Sequence, residues 1–406
     1  MYYRRQMEKA ILKASEEFPV VMVCGQRQVG KSTMLRQLSE NDRTYVSFDD
    51  PRARNLAKKD PALFFETFGY KLFIDEFQYV PEILTEIKRI VDEKTYSGEK
   101  ANGMFWLSGS QKFVMMKHVT ESLAGRVAVL NLLPLSQREI DGNIEEPFRP
   151  DVDSIRGRSK IDRTTSEVFE LIFRGGMPKI VSDGVDRDLY FSSYMDTYIE
   201  RDISRIENIG KLDEFRDFVT YMAANTAQEL KYDSISKAIG VSSPTVKEWV
   251  SVLERSGIIY IMRTYSPNVS KRLVKTPKCY FIDTGLAAYL TSWPTPETLM
   301  NGNSAGAFFE TYVVGELLKG YANNARDPRL FYYRDVDKKE IDLLMEEGDA
   351  VYPLEIKKGK NPSNAGKNFS VLDKFKKTVK PGLILCMADD LFPISRDLWY
   401  CPISLI

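Results

Sequence analysis

The stretch that most constrains this chain is GQRQVGKST, residues 25–33, which sets two glycines five positions apart ahead of a lysine and two hydroxyl side chains. It fits the pattern G-x-x-x-x-G-K-[ST], with Gly25, Gly30, Lys31 and Ser32 in the fixed positions. Glycine allows the close approach of backbone amides to a phosphate, and the pattern therefore predicts a phosphate-binding loop. The alternative interpretation is a surface glycine turn.

The residues around this loop are those that a phosphate-binding loop requires. The apolar run before it predicts a buried parallel strand at 20–24, and a helix is predicted from Met34 onward. Such a loop presents backbone N–H groups at a helix N-terminus, where phosphates bind. We expect Lys31 to reach the terminal phosphates and the Ser32 hydroxyl to ligate magnesium. The residues expected to contact the nucleotide here are Gly25, Gln26, Arg27, Gln28, Val29, Gly30, Lys31, Ser32 and Thr33.

A second element, KLFIDEFQYV, supplies two acids after an apolar run. The run predicts a strand at 72–74, which would place Asp75 as the partner of a magnesium ion through water. Glu76 is then the candidate base for an attacking water. Two acids at a solvated strand end are the alternative, and only the upstream loop favours the catalytic interpretation.

Two further candidates follow downstream. The stretch MFWLSGSQ predicts a third strand at 104–107, after which Ser110 or Gln111 could sense a γ-phosphate; a plain turn is the alternative. Arg126 stands just before another apolar strand and is a candidate arginine finger, acting within the chain or on a neighbouring subunit. A surface arginine is the competing interpretation of Arg126.

Strands predicted near 20, 45, 72, 104 and 127 alternate with helical stretches, which is an α/β, doubly wound pattern. Through GQRQVGKST, FIDEFQ, LSGSQ and LAGR, the chain resembles the AAA+-type P-loop ATPases of prokaryotes over about residues 15–140. The resemblance implies that ATP and magnesium are bound and that ATP is hydrolysed. It assigns these roles to Lys31, Ser32, Asp75, Glu76 and Arg126.

Composition bounds the remaining function classes. Lysine plus arginine and aspartate plus glutamate number 57 each among 406 residues, so no net charge draws the whole molecule to nucleic acid or membrane. The four cysteines are scattered without metal or redox spacing, which suits a reducing compartment. No apolar run approaches the length of a membrane span, and the N-terminus lacks a secretory pattern. We expect a soluble cytoplasmic protein of two or three domains, without membrane attachment.

The middle of the chain predicts helices and a helix-turn-helix. Residues 141–165 are polar and contain prolines, which is typical of a linker. A helix at 233–239, a turn at Gly240 and a second helix with Ser243 as N-cap predict the helix-turn-helix. The apolar stretch IIYIM that follows is a candidate wing strand, which completes a winged helix.

This middle region is locally basic. Between Lys231 and Lys278 nine lysines and arginines face three acids, a balance of 9 − 3 = +6. The second helix offers little beyond Lys247, so contacts to DNA are expected to be with phosphate more than with bases. A module that only packs within the ATPase is the alternative.

The C-terminal third carries separated acids on predicted regular elements. Glu310 lies in a predicted helix, and Asp342 and Glu355 lie in two successive predicted strands. Because side chains alternate along a strand, Glu355 and Lys357 share one face. Two carboxylates and a lysine on one surface can hold a divalent metal and position a water. A solvated charged strand is the alternative.

The order of these four residues resembles the PD-(D/E)xK nuclease superfamily. In that resemblance Glu310 is the helical acid, Asp342 the strand acid, and Glu355 with Lys357 the E-x-K pair. It implies an α/β nuclease-like domain, in which activity is left open. The whole chain looks like ATPases fused to such a domain.

Four regions are expected: an AAA+-like P-loop ATPase domain at 1–160, a helical segment at 161–225, a winged helix at 226–280 and a nuclease-like domain at 281–406. The leading hypothesis is a magnesium-dependent ATPase that acts on or near DNA and forms a homo-oligomer if the arginine finger acts between subunits. The alternatives are a nucleotide-gated DNA-binding switch with little turnover and a metal-dependent endonuclease regulated by ATP.

Overall fold

The structure is a computed structural model. It describes residues 1–406 with these exceptions: 41, 110–118, 120–121, 204–208, 269, 271, 273–274, 376, and the side chains of 200–203. By packing, the chain divides into two compact units. The first comprises 1–145 with 255–257 and 322–326, and the second comprises 146–254, 258–321 and 327–406. The sequence-based division into four regions remains a prediction, since its last three regions fall largely within the second unit.

The first unit is built on a five-stranded parallel sheet with the strand order β2-β3-β4-β1-β5. Its strands are β1 (Val20–Cys24), β2 (Thr44–Ser47), β3 (Leu72–Asp75), β4 (Phe105–Ser108) and β5 (Val127–Asn131). The helices described here are Met7–Glu17, Lys31–Ser39, Pro51–Lys59, Pro61–Phe68, Ile83–Tyr96 and Gln137–Ile140, with a 3₁₀ turn at Phe77–Tyr79. The predicted P-loop NTPase fold class is thereby confirmed.

Burial explains why these segments form the sheet. All five residues of β1 are buried, as are all four of β3 and of β4, and such continuous apolar runs are typical of parallel strands covered on both faces. Because the strands are parallel, their carboxyl ends meet at one edge of the sheet, and polar residues that follow them come together there.

The second unit begins with helices. They are Val152–Arg156, Thr165–Arg174, Pro178–Asp183, Arg187–Tyr194, Leu212–Ala224, Tyr232–Ile239 and Ser243–Arg255, with a π-helix at Met195–Ile203. The stretch 141–165, expected to be a linker, thus includes one short helix. A three-stranded antiparallel sheet with the order β6-β8-β7 accompanies the helices. Its strands are β6 (Gln228–Glu229), β7 (Ile259–Met262) and β8 (Lys278–Phe281).

One predicted helix cap is wrong by a residue. The helix Ser243–Arg255 begins at Ser243, and it is Ser242 whose hydroxyl accepts the Thr245 amide, at 3.3 Å. Ser243 instead donates to the Asp233 carboxylate at 2.6 Å. Pro244 does not discriminate between the two serines, because proline is compatible with the first turn generally.

The rest of the second unit is a seven-stranded mixed sheet with helices Thr284–Leu290, Pro296–Asn301 and Ala305–Ala322 and 3₁₀ segments Phe369–Lys374 and Ile403–Leu405. The strands are β9 (Leu330–Arg334), β10 (Glu340–Glu347), β11 (Ala350–Ile356), β12 (Thr378–Val379), β13 (Gly382–Cys386), β14 (Phe392–Ser395) and β15 (Leu398–Pro402). Strands β9, β10 and β11 form an antiparallel meander, whereas β11, β13 and β15 run parallel. The α/β character expected of the C-terminal third is confirmed.

Within the described part of the chain, no helix combines the length and hydropathy that a membrane crossing requires.

Candidate functional site

The loop between β1 and the helix Lys31–Ser39 has a backbone that depends on its glycines. Gly25 and Gly30 have φ values of 148° and 94°, a region that side chains rarely adopt. A Cβ on Gly25 would lie 2.2 Å from the Leu132 carbonyl oxygen, so that position is closed sterically as well. Gln28 also has a positive φ, of 63°. The glycine pattern read from the sequence therefore corresponds to real backbone requirements.

Lys31 is buried, with an exposed fraction of 6%. Its ammonium donates to the carbonyls of Gly25 and Gln26 at 2.9 and 2.6 Å. Burial lowers the pKa of Lys31 to about 8, while the nearby carboxylates of Glu76 and Asp75 partly offset that effect. The lysine is thus a desolvated cation enclosed by the loop that precedes it, and an anion brought to this loop would relieve its desolvation.

Asp75, the last residue of β3, collects hydroxyl groups from three neighbouring elements. The Ser32 hydroxyl donates to Asp75 Oδ1 at 3.0 Å, and the Tyr45 hydroxyl donates to Oδ2 at 3.3 Å. Ser108 donates to the same Oδ1 as Ser32. The predicted pair of Ser32 and Asp75 is therefore in direct contact.

Sequence reasoning missed Ser108 and Tyr45. The predicted strand ends at residue 107, and the expected sensing residue is Ser110 or Gln111, both of which lie outside the described residues. The structure extends β4 to Ser108, which pairs in register with Val23 at the carboxyl edge of the sheet. The signal was available, since the polar residue closest to the end of a buried parallel strand is the one that reaches this edge.

Glu76 follows Asp75 in a left-handed backbone conformation, with φ 54°. Such a conformation is uncommon for a residue other than glycine and is concentrated at functional sites. The Gln78 side-chain amide donates to the Glu76 carboxylate. Burial, together with the charge of Asp75, raises the pKa of Glu76, whereas Gln78 and Lys31 act in the opposite direction. A half-desolvated carboxylate of this kind is suited to accept a proton near neutral pH.

These residues fit a magnesium ion and a triphosphate. Magnesium prefers oxygen ligands and often binds through one or two carboxylates together with substrate phosphates. Ser32 and Asp75 supply a hydroxyl and a carboxylate at 3.0 Å from each other, next to the Lys31 ammonium. The donor set therefore agrees with the expected ion, with Ser32 and Asp75 as the holding residues.

Arg126 lies at the other edge of the sheet. It immediately precedes β5, whose first residue pairs with Val20 at the amino end of β1, whereas the loop follows the carboxyl end of β1. Its guanidinium donates to Asp92 at 2.6 Å and to the Ala124 carbonyl at 3.1 Å. The full length of β1, five residues at about 3.3 Å each, lies between Arg126 and the loop. Action within the same chain does not agree with this placement, and a finger directed at a neighbouring subunit stays a prediction.

In the second unit, three of the four predicted C-terminal residues converge in a charged cluster. The Lys357 ammonium lies 3.0 Å from Asp342 Oδ2 and 2.8 Å from Glu355 Oε1. The Ile356 amide also donates to Asp342, at 2.9 Å. Burial, with the charge of Asp342, raises the pKa of Glu355, and Lys357 opposes this. The adjacent strands β10 and β11 bring these groups together as the alternation of side chains predicted.

Glu310, the fourth residue, is bound by different partners. Its carboxylate accepts hydrogen bonds from the Tyr280 hydroxyl at 2.7 Å and the Lys278 ammonium at 3.1 Å. The same ammonium lies 2.7 Å from Glu340. Burial raises the pKa of Glu310, and the charge of Asp342 adds to it while Lys278 opposes it. Lys278, Glu310 and Glu340 border a cavity of about 430 Å³, which is also lined by Glu229 and other residues of the second unit.

No group of three or more histidine, cysteine, aspartate or glutamate side chains is arranged to hold a metal ion among the residues that the structure describes. In the C-terminal cluster the ammonium groups of Lys357 and Lys278 bridge the carboxylates instead. The metal site expected from Glu310, Asp342 and Glu355 stays a prediction.

The lysines and arginines of the middle segment are less exposed to solvent than its composition indicates. Lys278 and Arg272 are buried, and Arg272 pairs with Glu346 at 3.3 Å. The cations that remain exposed among the described residues are Lys231, Lys237, Lys247, Arg263 and Lys275. Lys271 lies outside the described residues. Part of the local excess of positive charge is thus consumed in internal ion pairs.

Comparison with known families then separates the chain into three matched segments. Residues 17–141 match the family model of an AAA domain. Residues 165–297 match a domain of unknown function, DUF8612, and residues 305–406 match another, DUF4143. The AAA match, with the parallel sheet and its glycine loop, supports an AAA-type P-loop ATPase domain in the first unit, with nucleotide binding and ATPase activity in general terms.

Among curated proteins, the chain is similar to the uncharacterized protein Rv2008c of Mycobacterium tuberculosis, at 26% identity over 364 residues, covering 89% of this chain and 75% of that protein. It is also similar to the uncharacterized protein MJ1544 of Methanocaldococcus jannaschii, at 22% identity, covering 80% and 72%. Among solved structures, one match is a Walker-type ATPase of Pyrococcus abyssi, at 15% identity and a TM-score of 0.38, covering 71% of this chain and 96% of that chain. Another match is RuvB of Thermotoga maritima, at 16% identity and a TM-score of 0.31, covering 66% of this chain and 93% of that chain.

Proposed function

We propose that this protein is a magnesium-dependent ATPase whose catalytic centre is formed by the loop at 25–33 and the carboxyl ends of β3 and β4. The observation that carries the proposal is the contact of Ser32 with Asp75, at 3.0 Å, beside the buried Lys31. A hydroxyl, a carboxylate and a desolvated ammonium at the N-terminus of a helix form the arrangement that phosphoryl transfer uses.

In this mechanism the loop amides and Lys31 bind the β- and γ-phosphates, and Lys31 exchanges at least one of its bonds to the Gly25 and Gln26 carbonyls for a phosphate oxygen. Ser32 and Asp75 would hold magnesium, Asp75 through water. Magnesium, when bound, neutralises charge that develops on the transferred phosphoryl group. Glu76 accepts a proton from the attacking water. Ser108 keeps Asp75 oriented.

The test is phosphate release by wild type, Lys31→Ala and Glu76→Gln, beside ATP affinity measured directly. We expect Lys31→Ala to lose binding. Glu76→Gln should keep binding and lose turnover by about 10²-fold or more, since a general base contributes that much. Turnover that survives in Lys31→Ala would refute the mechanism.

A nucleotide-gated switch with little turnover is a second candidate. The hydrogen bond from Gln78 to Glu76 favours it, because it holds the proposed base on a protein partner. Tight ATP binding with negligible phosphate release by wild type, and faster release by Gln78→Ala, would favour the switch over a constitutive ATPase.

The helices and three-stranded sheet over 212–281 support a proposed winged helix that contacts DNA phosphates. The helices Tyr232–Ile239 and Ser243–Arg255 are joined by a turn at Gly240, where φ is 78°, and the antiparallel pair of β7 and β8 is the proposed wing. The exposed cations of this region are the proposed contacts.

The C-terminal domain is proposed to be nuclease-like. A helix carrying Glu310, an antiparallel meander carrying Asp342 and Glu355, and a parallel strand β13 beside β11 support this proposal. Whether a metal-dependent endonuclease results is tested by incubating plasmid with magnesium or manganese. Nicking that is lost in Asp342→Ala would support it, and nicking that survives in Asp342→Ala would refute the assignment.

Two further proposals concern assembly and location. A homo-oligomer would allow Arg126 to act on a neighbouring subunit, which Arg126→Ala mixed with Glu76→Gln protein would test by restored turnover. The cytoplasm is the proposed location, because all four cysteines are buried as thiols.

A further inference from the structure

Arg5 is a buried charge near the N-terminus, outside the segment that matches the AAA domain. Its exposed fraction is 3%. It precedes the helix Met7–Glu17, and the match to the AAA domain begins only at residue 17. Arginine is rarely buried without partners, because desolvating a guanidinium is costly. Its position therefore calls for a specific explanation.

The guanidinium of Arg5 donates in three directions. Nη1 donates to the Val29 carbonyl at 2.8 Å, Nη2 to the Leu133 carbonyl at 2.7 Å and Nε to Glu139 Oε1 at 3.0 Å. Val29 belongs to the phosphate-binding loop and directly precedes Gly30. A lysine could not reproduce this set, because it lacks the planar fork of the guanidinium.

The bond to Val29 bears on the orientation of the loop amides. In a trans peptide the C=O and the following N–H point in opposite directions, so a Val29 carbonyl turned toward Arg5 leaves the Gly30 N–H turned away from it. Loop amides converge on an anion only when the carbonyls of the same peptides are turned outward and satisfied elsewhere. Arg5 satisfies one such carbonyl.

The bond to Leu133 holds residues 132–133, which pack against Gly25 at the start of the loop. The preceding Leu132 donates its amide to the Cys24 carbonyl at 2.8 Å, and its carbonyl closes the space beside Gly25. Arg5 thus holds the last part of the loop and, through residues 132–133, its first part.

Glu139 is the buried counter-charge that holds the Arg5 guanidinium in place. Its Oε1 accepts the Arg5 guanidinium and the Gln6 amide at 2.9 Å, and its Oε2 accepts the Asn323 side-chain amide at 3.0 Å and the Ser136 amide at 2.9 Å. The carboxylate is 1% exposed and fully engaged, so it is a fixed counter-charge rather than a group free to bind something else.

We infer that Arg5 is a positioning residue for the phosphate-binding loop, which orients the Val29–Gly30 peptide for binding the phosphates of ATP. The inference rests on the proposed function, since it concerns the same site. Arg5 touches no reacting atom in this arrangement and acts through the loop backbone.

The experiment compares Arg5→Lys and Arg5→Ala with wild type, using ATP and adenosine as probes and thermal unfolding as the measure of folding. Arg4→Ala is the matched control, because Arg4 is the neighbouring arginine and its side chain is 67% exposed. We expect both Arg5 variants to bind ATP about tenfold more weakly or worse, as loss of a charge-assisted hydrogen bond implies. The adenosine affinity of the Arg5 variants should change by less than about twofold, and so should the ATP affinity of Arg4→Ala. Changes of this size are within the effect of ordinary surface substitutions.

A second readout is chemical rescue. Guanidinium at millimolar concentration should restore ATP affinity to Arg5→Ala, whereas potassium at the same ionic strength should not. Should Arg5→Ala not fold, Arg5→Lys decides, since it retains the charge that Glu139 requires. ATP affinity equal to wild type in a folded Arg5→Lys protein would overturn the inference, as would a parallel loss of ATP and adenosine binding. Failure of wild type itself to bind ATP would instead refute the proposed function.

Discussion

Lys31 shows how one buried side chain can set the pH range of a site. Its ammonium is enclosed by the loop and donates to two backbone carbonyls, at the cost of its hydration. Burial therefore lowers its pKa to about 8, well below that of a solvated lysine. A phosphate at the same place would favour the charged form and raise the pKa in the complex.

We expect ATP affinity to be nearly level between pH 7 and about 8 and to fall as the pH rises further, by at most about tenfold per pH unit. The sign follows because binding raises the pKa of Lys31, so the complex requires a proton that the free protein loses near pH 8. The measurement is ATP affinity by calorimetry from pH 7 to 9.5.

Lys31→Arg is the matched control for this prediction. Its guanidinium stays protonated over the whole range, so its affinity, though weaker, should stay level. A wild-type profile that is flat to pH 9.5 would contradict the assignment. The contribution of Lys31 to stability has the opposite sign: between about pH 8 and 10.5 the unfolded chain binds more protons than the folded one, so this contribution rises with pH through that window and is level above it.

At the scale of elements, the first residue of the glycine loop packs directly against the backbone of Leu132, because glycine has no side chain to separate them. Gly25 lies against the Leu132 carbonyl, and Leu132 in turn bonds to the end of β1. The same edge of the sheet carries Asp75 and Ser108 from β3 and β4. Loop and acid therefore meet because parallel strands end together.

We predict that Gly25→Ala abolishes ATP binding and lowers the free energy of unfolding by about 3 kcal/mol or more, the range of severe steric changes. The added Cβ would meet the Leu132 carbonyl at 2.2 Å, in addition to the strain of a positive φ. Gly69→Ala is the control: φ there is also positive, at 84°, but nothing lies within 4 Å of the added Cβ. It should cost about 1–3 kcal/mol, the range for a side chain forced into a backbone region that is almost exclusive to glycine, and leave ATP binding intact. Urea unfolding and ATP titration measure both, and equal effects of the two changes would argue against a close-packed loop.

At the scale of the whole molecule, the positive and negative charges balance, but some of the cations in the basic region lie in internal ion pairs. The chain carries 57 basic and 57 acidic residues, and the basic region at 231–278 spends part of its charge on internal pairs such as Lys278 with Glu310. What remains exposed among the described residues is a small set of cations on the proposed winged helix. Any attraction to DNA is therefore local and modest.

If this region contacts duplex DNA, the plot of log affinity against log salt should have a slope no steeper than about −6, because the five exposed cations among the described residues, together with Lys271, can neutralise at most that many phosphates. Lys237→Glu with Lys247→Glu should weaken binding and flatten the slope. The control is Lys58→Glu with Lys59→Glu, an exposed pair in the first unit with the same change of charge. Fluorescence anisotropy with a labelled duplex measures the slope, and equal losses in both double variants would show that only net charge matters.

The sequence by itself was sufficient for the parts of this protein that depend on neighbouring residues. The spacing of Gly25, Gly30 and Lys31 predicted the loop, and apolar runs predicted β1, β3 and β4 to within a residue or two. Local patterns succeed here because backbone conformation and strand burial are dictated within a few positions along the chain.

Only the tertiary structure decided which distant groups meet. Ser108 and Tyr45 reach Asp75, Arg5 reaches the loop across 24 residues, and Lys278 reaches Glu310. It also set Arg126 at the far edge of the sheet from the loop of its own chain. None of these pairings has a fixed sequence spacing, because each is created by strand order and by the need of a buried charge for a partner, and both are properties of the folded chain.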